Sequence, residues 1–134
     1  MTYDNKLLLR ALKLNAIFSG FSALCMFITG TWLAAQFSLR SNIPIYLIAS
    51  VLAVFAFLLT NIARTGIIRT WEVTMIIVGD IAWVVASVVL LVLFYRTITP
   101  TAVVLVDLVA IIVLIFAVMQ IRGLTQYQKQ EAQT

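Results

Sequence analysis

Four apolar runs dominate the chain: Ala11 to Phe37, Ile43 to Ala63, Trp71 to Tyr95 and Thr99 to Ile121. Each reaches or exceeds the roughly 20 residues that cross about 30 Å of hydrocarbon. In lipid every backbone N–H and C=O needs a partner inside the protein, so segments of this kind fold as helices rather than open strands. Composition agrees, with 63% hydrophobic and 10% charged residues, against about 45–50% and about 25% in an ordinary soluble domain. A chain of 134 residues has too little interior to hide that much apolar surface from water. The sequence predicts one all-α domain over 1–124, an antiparallel bundle of four transmembrane helices, with a short polar tail over 125–134.

Punctuation between the runs fits this reading. Pro44 and Pro100 fall in the first turns of the second and fourth helices, where a missing N–H costs nothing. Asn42 and Thr99 precede them as N-caps, and Gly66 and Gly123 are expected to stop helices two and four. Trp32, Tyr46 and Tyr95 mark one interface and Trp71 the other. The first run is too long for a cleaved signal peptide, and Leu33-Ala34-Ala35 is a poor cleavage site, so it is expected to be retained. Lys6, Arg10, Lys13, Arg64, Arg69, Arg122 and Lys129 gather on one side, and only Arg40 and Arg96 on the other. That asymmetry places both termini in the cytoplasm. Arg40-Ser-Asn-Ile-Pro44 echoes Arg96-Thr-Ile-Thr-Pro100, which leaves open a duplicated helical hairpin.

Several chemistries are excluded outright. The chain has no histidine, so imidazole-held haem, histidine-bound zinc and histidine acid–base catalysis are absent. Its single cysteine, Cys25, forms no internal disulfide. The net charge of +4 comes from helix ends and loops rather than from a basic stripe, so it faces anionic headgroups and not nucleic acid. No cofactor or metal site is expected. The expected partners are membrane lipids, with a membrane protein or a second copy of the chain as the other candidates.

The informative residues are the polar ones within the apolar runs. Asn15, Ser19, Ser22, Thr29 and Gln36 share one face of the first helix, which should look into the bundle. Ala16, Gly20 and Ala23 flank it and allow close backbone approach. Asn61 in helix two lies at a depth like that of Asn15, and the two are expected to bond. Asp80 and Asp107 sit near the middles of helices three and four, where a carboxylate costs about 2.5–3.5 kcal/mol even on a lenient scale. Antiparallel packing is expected to bring them within about a turn in depth. Asp80, Trp83 and Ser87 share a face, and the Trp83 indole needs an acceptor such as Asp80. Ala82 and Ala86 are expected to form the close-packing edge of helix three. Three readings of the acids stay open: a proton or cation site, protonated structural groups, or contacts to a partner or lipid headgroup.

Asp80-Ile-Ala-Trp83, Asn15-Ala-x-x-Ser19-Gly20 and Gln120-Ile-Arg-Gly-Leu124 resemble a family of small bacterial four-helix inner-membrane proteins to which no activity is attached. The resemblance implies a bacterial plasma membrane and no reaction. Small multidrug exporters have a similar size, but they need a glutamate in helix one, which this chain lacks. Minimal loops, no nucleophile–base pair and no metal cluster favour a non-enzymatic protein that binds a partner or lipid. A homo-oligomeric transporter or channel built on Asp80 and Asp107 is the second expectation. An intramembrane aspartyl enzyme is the third.

Overall fold

The computed structural model describes residues 5–134. Four helices account for nearly all of it: α1 Lys6–Gln36, α2 Ile43–Thr65, α3 Thr70–Phe94 and α4 Pro100–Ala132. All four are long and apolar enough to span a bilayer. They run up and down. One end of the bundle holds the start of α1, the α2–α3 connection and the end of α4 (the terminal end). The other holds the α1–α2 and α3–α4 connections (the hairpin end).

The capping chemistry works at two of the four predicted places, Thr99 and Gly66. Thr99 Oγ1 accepts the Ala102 N–H at 3.2 Å, one residue before Pro100. Gly66 closes α2 with φ +65°, a left-handed conformation that an L side chain adopts at a cost. Asn42 holds the N-cap position of α2, although its amide turns to Thr31 and Tyr46 instead of capping the backbone. Gly123 departs from expectation: α4 runs straight through it to Ala132. The 33-residue helix is about 50 Å long. Residues 125–134, with four glutamines and one each of Lys, Glu and Ala, have the intrinsic helix propensity to continue it into water. The α1 helix likewise begins five residues before the apolar run, at Lys6.

Packing is densest at the terminal end. Leu8, Leu12, Leu59, Ile62, Val73, Ile76, Ile77 and Leu124 form one buried cluster drawn from all four helices. Small residues set the α1–α2 spacing: a Cβ on Gly20 would meet Ala56 Cβ at 3.6 Å, as expected from the flank of Ala16, Gly20 and Ala23. The α1–α4 contact is closer still. A Cβ on Gly123 would lie 2.8 Å from Leu8 Cα, so Gly123 is a packing site rather than a helix stop. Phe18 and Phe116 meet edge to face across the same pair, with centroids 5.7 Å apart. Among the described residues, no Cα of α2 lies within 8 Å of one in α3, and the two helices touch through side chains alone.

The hairpin end is tied by hydrogen bonds. Thr99 Oγ1 donates to Gln36 Oε1 at 2.6 Å, and the Thr99 N–H donates to the Gln36 carbonyl at 3.0 Å. Ser38 Oγ donates to the Thr97 carbonyl at 2.7 Å. Near this end α1 bends at Thr29, whose φ/ψ leave the helical region and whose hydroxyl donates to the Cys25 carbonyl at 2.7 Å. A Thr side chain bonded back to residue i−4 is a known cause of such bends. Ala82 and Ala86 are exposed and form no packing edge, because α3 turns its Asp80–Ser87 face inward instead.

Candidate functional site

The polar residues of the spans divide into a closed interior cluster and a separate outward-facing acid. The cluster is built from α1, α3 and α4. Asn15 is 1% exposed, Ser19 4%, Asp80 3% and Gln120 0%. The spacing of α1 explains half of it. Asn15 and Ser19 are four residues apart and stack on one face, where Ser19 Oγ donates to Asn15 Oδ1 at 3.1 Å. That bond orients the Asn15 amide, whose Nδ2 donates to Asp80 Oδ2 at 2.7 Å across the bundle. A bond so short and so buried is of the charge-assisted or strong neutral kind and fixes α3 to α1 at mid-depth.

Gln120 completes the ring from α4. It lies beside the Asp80 carboxyl, yet among the described residues neither Nε2 nor Oε1 meets hydrogen-bond geometry with a partner. In the sequence Gln120 stands out only as part of the Gln120-Ile-Arg-Gly-Leu124 resemblance motif. The signal that finds it is helical spacing: Val113, Ala117, Gln120 and Leu124 recur at steps of four, three and four on the buried face of α4.

The other candidate residues lie elsewhere. Asn61 is exposed, so the expected Asn15–Asn61 bond is not made; Asn15 turns to Asp80 instead because α3, not the exposed edge of α2, faces it. Trp83 is half-buried and does not donate to Asp80; its carbonyl accepts from buried Ser87 at 2.8 Å. Ser22 is half-buried. The polar stripe of α1 is thus inward at Asn15 and Ser19, leaves the interior at Thr29, where the helix bends, and reaches Thr99 again at Gln36.

Asp107 is exposed on the outer face of α4, and the expectation that it neighbours Asp80 fails for two reasons. The first is depth. Asp80 is 14 residues from the hairpin end of α3, about 21 Å, and Asp107 is seven residues from that end of α4, about 10 Å. The second is direction. The inward face of α4 runs through Ala102, Ala110, Val113 and Ala117, and Asp107 lies opposite. Among the described residues, none hydrogen-bonds or ion-pairs with its carboxyl.

A shallow groove at the terminal end of the α1–α2 pair, about 450 Å³, is lined by Leu9, Arg10, Lys13, Leu14, Ile17 and Ala63. It joins two cations at the rim to an apolar floor. No protein-family model matches the chain, and neither does any curated protein or solved structure.

Proposed function

We infer that the protein is a non-enzymatic, multi-pass protein of the bacterial inner membrane, with cytoplasmic termini, that works by associating with lipid and with a protein partner in the plane of the bilayer. The separation of its two acids carries this reading. Asp80 is sealed inside, held by Asn15 and 3% exposed, which suits a strut between helices and leaves no surface for a solute. Asp107 faces out into the apolar medium, where an acid without a partner is costly. A conduit using both would need them on one path, and they occupy opposite sides of α4. The groove at Arg10 and Lys13 supports lipid contact, since paired cations above apolar walls suit an anionic headgroup and its acyl chain.

Flux measurement tests the reading. Proteoliposomes carrying the purified protein, loaded with a proton- or sodium-sensitive dye, are expected to leak no faster than empty vesicles. The Asp80→Asn variant is expected to behave identically. Saturable flux that disappears in Asp80→Asn would replace this reading with transport.

A further inference from the structure

We propose that α4 carries a parallel, two-fold interface with a second copy of this chain, centred on Asp107. This rests on the association reading above and names the partner. The outward seam of α4 steps through Val104, Asp107, Ile111, Leu114, Val118 and Ile121 at intervals of three, four, three, four and three. Exposures of its apolar members run from 43% to 64%. Such alternation is the geometry of two helices crossing at about 20° with interlocking side chains. The outward faces of the other helices are apolar too, including Val78, Val85, Val88 and Val92 of α3. What singles out α4 is its acid.

Asp107 stands about 10 Å below the hairpin end of α4, too deep for an aspartate side chain to reach the headgroups. Left facing lipid, it lowers the population of the inserted chain on the order of a hundredfold. A second copy removes that penalty with nothing added from outside. Every copy inserts in the same sense, so two α4 helices meet parallel. A two-fold axis along the membrane normal then sets each seam residue against itself at equal depth. Asp107 meets Asp107, and one carboxylic acid donates to the other copy's carboxylate. The flanking chemistry fits the same symmetry. Val104, Ile111 and Val118, all β-branched, occupy one seam position, and Asp107, Leu114 and Ile121 the other. Beside Asp107 the seam thus pairs β-branched residues at the first position with Leu114 at the second, the combination that suits two strands. A lone polar residue in such a seam fixes register and copy number.

The test is association in liposomes at decreasing protein-to-lipid ratio, read by energy transfer between labelled copies. Wild-type protein is expected to dimerise. Asp107→Ala should weaken the dimer by roughly 3- to 30-fold, while Asp107→Asn, whose amides still pair, stays within about threefold of wild type. Asp107→Lys alone should be monomeric, yet pair with wild type on co-reconstitution. In a Cys25→Ala background, Ile111→Cys should cross-link between copies and Val85→Cys on α3 should not. Because Asp107 is exposed, each variant should keep the wild-type helical content. A wild type that is monomeric at every dilution, an Asp107→Ala dimer as tight as wild type, or cross-linking through Val85→Cys would each overturn the interface. Monomeric protein without flux leaves the association reading intact and sinks only the dimer; Asp80-dependent flux sinks that reading and leaves the dimer standing.

Discussion

Gly123→Ala should be less stable than Gly20→Ala by about 2–3 kcal/mol, although the two substitutions are the same on paper. Both replace a glycine in the middle of a helix, and both gain close to 1 kcal/mol of helix propensity. Their surroundings differ. At Gly20 the new methyl meets Ala56 Cβ at 3.6 Å, an ordinary contact. At Gly123 it arrives 2.8 Å from Leu8 Cα and 2.9 Å from Leu8 N, and backbone atoms of a packed helix cannot rotate away. The α1 and α4 helices must separate. Leu8 is fully buried and Leu124 is 8% exposed, so the gap opens the main core cluster rather than a surface seam. Overpacking of this kind ordinarily costs about 1–3 kcal/mol, and its upper range applies where the obstacle is main chain. Equilibrium unfolding in mixed micelles, with both variants in parallel, reads the difference directly. Equal stability of the two would mean that Leu8 and Gly123 are not in contact.

The same glycine shows what a sequence displays and what it hides. The bundle is legible because four runs of bilayer length leave one choice of backbone, and Gly66 is legible because it directly follows the polar Arg64-Thr65 at the end of the second apolar run. Gly123 stands at the end of an apolar run as well, and local pattern alone makes it a stop. Its role comes from Leu8, more than a hundred residues earlier in the chain. Only the pairing of α1 with α4 reveals that. The polar site divides in the same way. Period and cost identify Asn15, Ser19 and Asp80 as inward groups, because polar atoms avoid hydrocarbon and their spacing fixes a face. Which atom each one meets depends on the rotation of α3 and α4 about their axes. Cost reasoning gives Asp80 and Asp107 equal standing as inward-facing acids. Rotation sends one in and the other out, and it brings Gln120 into the space that Asp107 was expected to fill.

Removing Asn15 should hurt more than removing Asp80, and removing both should hurt less than removing Asn15 alone. In Asn15→Leu the Asp80 carboxyl, 3% exposed, loses the donor that reaches it at 2.7 Å. A buried polar group stranded without its partner costs about 1–3 kcal/mol, more if it stays charged, so a loss of about 3 kcal/mol is expected. In Asp80→Leu the costly group itself is gone, and what remains is an amide still accepting from Ser19 at 3.1 Å with its Nδ2 unpaired. That loss should be near 1 kcal/mol. The double variant Asn15→Leu/Asp80→Leu replaces both partners with apolar groups of similar size. It should recover about 1–2 kcal/mol relative to Asn15→Leu alone. Gln120→Leu supplies the third arm. It removes an amide that lies beside the Asp80 carboxyl without reaching hydrogen-bond geometry among the described residues, so it should stay within about 1 kcal/mol of wild type or rise above it. A double-mutant cycle measured by unfolding in micelles isolates the Asn15–Asp80 term. Strict additivity, with a coupling below about 0.5 kcal/mol, would mean that this bond does not hold α3 to α1, and the interior acid would then need a different explanation from the one its geometry supports.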